Sequence, residues 1–259
     1  MKAKIKQAFS QAATSYDSVA YLQRSVAQDL LTTIAQEKLT GLILDLGCGT
    51  GFLSCGLIDA PDKSLQQLIA VDIAEPMLHI SRAKVESGSD TLNYVCADAE
   101  KLPFAEQSFD GIVSNLALQW CMPLNTALNE LHRVLKPNRV LIFSTFGAQT
   151  LQELKTAWAS VDNQAHVNEF YTAEQLQPLL AQAGFTNIAL SNQTYLSRYD
   201  SVLSLMRELK QLGAHSVLAQ REQVTTRKAL QAMLAAYPTA IDNTQIHATF
   251  EIITVIARA

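Results

Sequence analysis

Apolar runs alternate with helical patterns through the first two-thirds of the chain. Short runs rich in Leu, Ile and Val predict strands, and the stretches between them repeat apolar residues at spacings of three and four. The predicted strands cover residues 42–46, 68–71, 92–96, 111–114, 140–145, 186–190 and 247–256. Strands that alternate with helices build a mostly parallel sheet with helices on both faces, so the pattern predicts a seven-stranded α/β fold.

Residues that favour helix ends mark the boundaries of the predicted helices. One helix begins at about Phe52 and another at Glu75, with Pro76 in its first turn. A later helix carries an apolar stripe made of Ala127, Leu128, Leu131, Val134 and Leu135. Residues 136–139 (Lys-Pro-Asn-Arg) predict a turn before the fifth strand. Two further helices are predicted at 149–161 and 172–183.

The domain organisation follows from these elements. We expect residues 1–259 to form a single domain, with an N-terminal helical lid over about 1–40. Residues from about 196 to 243 contain two helical stretches and no strand pattern, which predicts a helical cap over the carboxyl edge of the sheet.

Composition excludes several classes of protein. The chain is 48% hydrophobic and 17% charged, which is typical of a globular protein. A net charge of -4 argues against a general nucleic-acid binder, and no apolar stretch predicts a membrane span or export signal. The four cysteines lack C-x-x-C spacing, so we expect reduced thiols, no metal site and a cytoplasmic location.

Charge is unevenly distributed along the chain. Residues 198–228 hold six basic and three acidic side chains, a local excess of +3, so the remainder carries -7. An acidic partner could bind this segment, although a solvated helix face of mixed charge is an alternative interpretation.

The segment 45–51, Asp-Leu-Gly-Cys-Gly-Thr-Gly, lies between a predicted strand and a predicted helix. Its alternating glycines allow a tight turn and let a ligand approach the backbone without a Cβ in the way. Free N–H groups at the start of the helix favour an anionic group nearby. The pattern therefore indicates a ligand site at this turn.

Carboxylates follow the next two predicted strands. Asp72 ends the second, where a carboxylate can accept hydrogen bonds from ribose hydroxyls, and Asp98 follows the third. Each alone could be a helix cap or a turn residue, but together they predict one site along the sheet edge. Residues 115–117 (Asn-Leu-Ala) form the next loop of that edge.

The glycine turn resembles the first motif of class I S-adenosylmethionine-dependent methyltransferases, which share a Rossmann-like fold. The resemblance implies S-adenosylmethionine as the cofactor, with Asp45 near its amino group and Asp98 facing its adenine. The implied cofactor residues are Asp45, Gly47, Cys48, Gly49, Asp72, Ile73, Met77, Asp98, Ala99, Asn115 and Leu116. The chain lacks the Asn/Asp-Pro-Pro-aromatic sequence of nucleic-acid and protein amino-methyltransferases, and it lacks the Pro-Cys pair of pyrimidine methylation.

Further segments resemble one family, the malonyl-acyl-carrier-protein O-methyltransferases (BioC), which begin pimeloyl assembly for biotin. The resemblance runs over most of the chain. The most particular pieces are Gln119-Trp120, residues 166–168 (His-Val-Asn) and 210–215. The other pieces are 9–13, Tyr16-Asp17, 22–24, 97–104, 151–154, Trp158, 161–162, Phe170 and 205–210. Of these, 98–104 is weakly diagnostic because it occurs in many small-molecule methyltransferases. The segment 136–139 departs from the usual Pro-Gly-Gly and puts the turn geometry in doubt.

The resemblance implies methyl transfer to the free carboxylate of malonyl-acyl-carrier protein, or of malonyl-CoA. A malonyl carboxylate is ionised at pH 7, so the reaction needs alignment and dehydration more than a base. The candidate catalytic residues are Tyr16, Gln119, His166, Arg207 and His215, with Trp120 and Tyr199 as further pocket candidates. The candidates for binding the acidic carrier are Arg207, Lys210, Arg221, Arg227 and Lys228.

Two other functions remain open from the sequence. The core motifs also suit a methyltransferase of a small lipid or quinone precursor. A subunit that binds S-adenosylmethionine without catalysis is the third alternative. The histidines could also be structural, and Trp120 could belong to the hydrophobic core.

Overall fold

A computed structural model of the chain describes residues 2–60, 65–85, 91–214, 225–238 and 245–259. The strands are β1 (Gly41–Leu46), β2 (Leu65–Asp72), β3 (Leu92–Cys96), β4 (Phe109–Asn115), β5 (Leu135–Phe146), β6 (Thr186–Tyr199) and β7 (Ile246–Arg258). The helices are α1 (Lys2–Val19), α2 (Tyr21–Glu37), α3 (Phe52–Ile58), α4 (Glu75–Lys84), α5 (Leu124–Val134), α6 (Gln152–Ala159), α7 (Ala173–Gln182), α8 (Val202–Gln211) and α9 (Arg227–Ala236). A 3-10 turn covers Leu118–Trp120.

The strands form one seven-stranded sheet in the order β3-β2-β1-β4-β5-β7-β6. β1 to β5 are parallel, and β7 runs antiparallel to both of its neighbours. The predicted fold class, a mostly parallel sheet with Rossmann-like order, is confirmed. The carboxyl ends of the parallel strands meet at one edge, where such sheets bind their ligands.

Side chains alternate between the two faces of the sheet and bury both. On one face, Leu44 and Ile112 pack in the core cluster that includes the buried stripe of α5 and residues of α7. On the other face, Ile43 and Val113 pack against buried residues of α2 and α3. Because consecutive residues of a strand point to opposite faces, strands covered on both sides are apolar at nearly every position.

Two strands, β5 and β6, differ from their predicted bounds by five residues or more. β6 continues past the predicted end at residue 190 to Tyr199, pairing along its whole length with β7. The prediction that residues 196–199 begin a region without strand is therefore wrong. Residues 191–194 of β6 are polar and exposed, as on an edge strand, and they carry no alternation from which a strand can be recognised.

The predicted turn at 136–139 lies inside β5. The pairing of β4 with β5 shifts register there, from Phe109 opposite Leu135 to Gly111 opposite Val140. Asn138 adopts the left-handed region with φ of 61°. The turn residues thus form a bulge in the strand, and Leu135, expected in the helical stripe, is the first residue of β5.

The connection from β6 to β7 leaves the sheet at the edge where the parallel strands end, and it contains α8 and α9. Buried residues of these helices, Leu205 and Met233, pack with Trp158 of α6 and Phe250 of β7. No helix in the described ranges has the length and apolar character needed to cross a membrane.

Candidate active site

The glycine turn after β1 uses its three glycines differently. Gly47, Gly49 and Gly51 have φ of 68°, 54° and 85°, in the left-handed region that favours glycine. A Cβ at Gly47 would collide with Ala117, and one at Gly51 would collide with Ser81. A Cβ at Gly49 would meet nothing within 4 Å. The outer glycines therefore allow close packing, while the central one leaves room for a ligand.

Asp45 lies almost fully buried near the end of β1. Its Oδ2 accepts a hydrogen bond from Ser54 Oγ, and its Oδ1 has no partner. Burial raises the pKa of Asp45 to about 7; the Ser54 hydrogen bond opposes this shift, and the charge of Asp72 adds to it. A buried carboxylate with an unpaired oxygen is suited to a ligand that brings a positively charged donor.

Asp72 ends β2 and faces the turn. Its Oδ2 accepts from the Gly49 N–H at 3.0 Å, and its Oδ1 accepts from the Ala74 N–H at 2.8 Å. Burial raises the pKa of Asp72, although these backbone hydrogen bonds act in the opposite direction. The carboxylate therefore ties the glycine turn to the start of the next helix.

Two small cavities of about 110 and 50 Å³ lie along this edge and share Tyr16, Gly47, Gly49 and Asn115 in their walls. Together they are lined by every residue that the sequence assigned to the cofactor: Asp45, Gly47, Cys48, Gly49, Asp72, Ile73, Met77, Asp98, Ala99, Asn115 and Leu116. We call the pair the cofactor cavity. The structure thus brings the whole predicted set together.

Helix α1 covers the cofactor cavity with one face. Lys2, Ile5, Phe9 and Tyr16 line the wall, at spacings of three, four and seven residues that place them on the same side of a helix. Burial raises the pKa of Tyr16, and the charges of Asp72 and Asp17 act in the same direction. The catalytic candidate Tyr16 therefore lies against the cofactor cavity.

Polar contacts hold both ends of α1. At its start, Lys2 Nζ lies 2.7 Å from Asp98 Oδ2 and 2.6 Å from Glu100 Oε2. Near its end, Asp17 accepts from Thr50 Oγ1 at 2.6 Å and pairs with Lys84 at 2.6 Å. The sequence does not predict these contacts, because neither the glycine turn nor the carboxylates at the strand ends indicate a role for Lys2 or Asp17.

A third cavity, of about 380 Å³, lies beneath α8 and α9, and we call it the acyl cavity. Its walls are mainly apolar and aromatic, from Leu22, Trp120, Phe146, Leu151, Leu154, Trp158, Val167, Phe170, Met206, Leu209, Leu212, Ala214, Leu230 and Phe250. The polar lining residues in the described ranges are Gln23, Thr150, His166, Asn168, Glu208 and Thr225, with no Lys or Arg among them.

His166 is fixed in the wall of the acyl cavity. Its ring stacks on Trp158 with centroids 3.6 Å apart, and its Nε2 lies 2.8 Å from Asp162 Oδ1. The side chain is only 3% exposed. The structure thus places this catalytic candidate in the wall of the third cavity.

The other catalytic candidates lie elsewhere. Gln119 lies outside the walls of both cavities, and its Nε2 donates to the Leu116 carbonyl at 2.6 Å. Arg207 is exposed on α8. Tyr199 Oη donates to Glu208 Oε1 at 2.7 Å, and it is Glu208 that lines the acyl cavity. His215 lies outside the described residues.

Four of the five candidates for carrier binding lie in the described part of the chain. Lys210, Arg227 and Lys228 are exposed on α8 and α9, as is Arg207, and within the described part of the chain none of the four makes an ion pair. Arg221 lies outside the described residues. In the ranges described, no cluster of His, Cys, Asp or Glu is placed to hold a metal ion, and the expected absence of a metal stays a prediction.

The cofactor and acyl cavities share two wall residues, Gln23 and Trp120. Trp120 makes an edge-to-face contact with Phe9 of α1, with centroids 5.4 Å apart. Asn115 Nδ2 donates to the Gln23 carbonyl at 3.1 Å, and Asn115 Oδ1 accepts from Ser144 Oγ at 2.8 Å. This arrangement suits transfer of a small group between two neighbouring sites.

The comparisons with known proteins agree with this geometry. A family model described as a methyltransferase domain matches residues 44–143. The YcgJ protein of Bacillus subtilis shares the fold, with a TM-score of 0.64 at 16% identity, covering 89% of this chain and 98% of that one. The fold, the glycine turn and the sheet-edge carboxylates define a class I methyltransferase of the S-adenosylmethionine-dependent kind.

Relatives with higher identity give the family. The malonyl-acyl-carrier-protein O-methyltransferase of Methylococcus capsulatus is 44% identical over 231 residues, covering 88% of this chain and 83% of that protein. The chain belongs to the family of malonyl-acyl-carrier-protein O-methyltransferases. The biotin biosynthesis bifunctional protein BioHC of Saccharophagus degradans is 44% identical over 244 residues; the match covers 91% of this chain and 42% of that longer relative.

Proposed function

We propose that the protein transfers a methyl group to the free carboxylate of malonyl-acyl-carrier protein, the entry step of pimeloyl assembly in biotin biosynthesis. The observation that carries this proposal is the acyl cavity, which shares Gln23 and Trp120 with the cofactor cavity. Its mainly apolar lining suits a thioester chain, and the relatives named for this activity match most of this chain.

The cofactor cavity fits S-adenosylmethionine, which when bound supplies a methyl group made electrophilic by its sulfonium. The unpaired Oδ1 of Asp45 suits the ammonium group of the cofactor, and the open space at Gly49 admits its backbone. Asp72 would hold the ribose hydroxyls, and Asp98 would face the adenine amino group. Ile5, Phe9 and Tyr16 of α1 would exclude water from the bound molecule.

The acyl cavity can orient a carboxylate without removing its nucleophilicity. Its described polar lining includes the amide of Asn168 and the ring of His166, whose Nε2 is already bonded to Asp162, beside one carboxyl group, Glu208. Burial raises the pKa of Glu208, which favours its uncharged form, although its hydrogen bond from Tyr199 acts in the opposite direction. A bidentate guanidinium would hold the carboxylate more tightly but would withdraw charge from the attacking oxygen.

The carrier would approach the face of α8 and α9. Arg207, Lys210, Arg227 and Lys228 are exposed there, and an acidic carrier would be steered toward them at low salt. The cap prediction and the lid prediction for about 1–40 belong to this proposal, because α8 and α9 lie over the acyl cavity and α1 lies over the cofactor cavity.

The experiment offers three acceptors to the purified chain with labelled S-adenosylmethionine: malonyl-acyl-carrier protein, malonyl-CoA and a quinol. We expect label on the malonyl carboxylate, with the carrier-bound form preferred over CoA. Label on the quinol alone would overturn the proposal and favour a quinone methyltransferase. Binding of the cofactor without label on any acceptor would favour a non-catalytic subunit.

A further inference from the structure

Two buried side-chain acceptor atoms in the described part of the chain have no hydrogen-bond partner: Asp45 Oδ1 and Gln23 Oε1. The two residues belong to different elements, β1 and α2, and are 22 positions apart in the sequence. Both line the same 50 Å³ compartment of the cofactor cavity, beside Gly47 and Gly49. Because buried acceptors are rarely left unpaired, their convergence on one compartment points to a ligand that brings donors.

Several donors that line this compartment are already committed. The Gly47 and Cys48 N–H groups both donate to the Val71 carbonyl, at 2.7 and 3.0 Å. Arg24 Nη1 donates to the Asp17 carbonyl at 2.6 Å, and Thr50 Oγ1 donates to the Asp17 carboxylate at 2.6 Å. No described protein group donates to Asp45 Oδ1 or Gln23 Oε1, so a ligand that brings donors to this compartment would satisfy both.

A primary ammonium group matches this demand. It carries three N–H donors and no acceptor, it is small, and its charge favours the ionised form of a carboxylate. We propose that Gln23 binds the α-ammonium group of S-adenosylmethionine through Oε1, opposite Asp45. This inference rests on the proposed use of that cofactor, and it assigns a cofactor role to a residue of α2 that no glycine or carboxylate motif indicates.

The position of Gln23 gives this contact a second effect. Its carbonyl accepts from Asn115 Nδ2, which anchors this part of α2 to the end of β4. Gln23 also lines the acyl cavity. Gln23 therefore binds the amino-acid end of the cofactor and also positions it beside the wall that the two cavities share.

The test replaces Gln23 with Met, which keeps the length and apolar volume of the side chain but removes the amide. Calorimetry would compare S-adenosylhomocysteine, which has the ammonium group, with 5′-methylthioadenosine, which lacks it. We expect Gln23→Met to lower the affinity for S-adenosylhomocysteine about ten-fold, the effect of one hydrogen bond to a charged group. The affinity for 5′-methylthioadenosine should stay unchanged. Gln28→Met, at an exposed position of the same helix, is the matched control and should change neither.

A second variant keeps the acceptor atom. Gln23→Glu retains an oxygen at the same reach, so its affinity for S-adenosylhomocysteine should equal or exceed that of the original protein. Unchanged affinity in Gln23→Met, or equal loss for both ligands, would overturn the assignment. An original protein that binds S-adenosylhomocysteine but methylates no malonyl acceptor would refute the proposed reaction while leaving the Gln23 contact standing.

Discussion

The cofactor cavity and the acyl cavity are built in different ways. The first is set by the ends of β1 to β4, where side chains project from a sheet that is buried on both faces. The second is enclosed by α2, α6, α8, α9, Trp120 and the segment around His166, and among its described lining residues Phe146 and Phe250 come from strands. One region therefore uses the rigid edge common to the fold, and the other mainly uses helices, so we expect cofactor and acceptor specificity to change independently except through the shared residues Gln23 and Trp120.

Replacing Asp72 tests the rigid region most severely. Asp72→Ala removes the carboxylate that faces the cavity and leaves the Gly49 and Ala74 N–H groups without their acceptor. We expect calorimetry to show an affinity for S-adenosylhomocysteine about 100-fold lower, as for the loss of two or more charge-assisted hydrogen bonds. Asp59→Ala, at an exposed position after α3, is the control. A similar loss of affinity in that variant would contradict the assignment of Asp72 to the cofactor site.

Protonation of Asp45 should make cofactor binding depend on pH. Its pKa is raised to about 7, chiefly by burial, and the neighbouring groups that face it include Asp72, Cys48 and Ser54. An ammonium ligand pairs with the ionised form, so affinity for S-adenosylhomocysteine should rise about ten-fold between about pH 5.5 and 7.5.

The stability of the empty protein should change in the opposite direction. Because the pKa of Asp45 is raised on folding, its contribution to the free energy of unfolding is present below about pH 4 and is lost as the pH rises through about 7. The gain in Tm on adding ligand should therefore grow with pH. Asp45→Asn should remove the pH dependence of both the affinity for S-adenosylhomocysteine and the gain in Tm. If both pH dependences persist unchanged, Asp72 is the titrating group.

His166 tests the region built from helices. His166→Ala removes the stack on Trp158 and a polar group from the acyl cavity. We expect kcat/KM for malonyl-acyl-carrier protein to fall about ten-fold while S-adenosylhomocysteine binds as before. The control is His79→Ala, an exposed histidine on α4. Equal loss of cofactor affinity would show that the two cavities do not act independently.

Lys210 gives the smallest expected effect. Lys210→Glu reverses a charge on the exposed face of α8, so the KM for the carrier-bound substrate should rise about five-fold at low salt. The KM for malonyl-CoA should change little, and the difference should disappear at high ionic strength. An increase that is equal for both substrates at all salt concentrations would place the carrier on another surface.

The same contrast explains what the sequence could predict. All eleven residues predicted to bind the cofactor line the cofactor cavity, because they lie in short segments near the ends of predicted strands and parallel strands bring their ends together. Arg207 was misleading as a pocket residue because α8 turns Met206 and Leu209 toward the cavity and leaves residue 207 outside. The role inferred for Gln23 depends on an unpaired atom that is visible only in three dimensions.

The contacts at the two ends of α1 also affect the timing of the reaction. Because α1 lines the cofactor cavity, we expect it to move aside for each spent cofactor to leave, so that turnover includes an opening step as well as methyl transfer. Lys2 and Lys84 fasten it through partly exposed charges, and exposed ion pairs weaken as salt is added. The dissociation rate of S-adenosylhomocysteine should therefore increase with ionic strength. Exchange of the cofactor would then depend on the salt concentration around the protein.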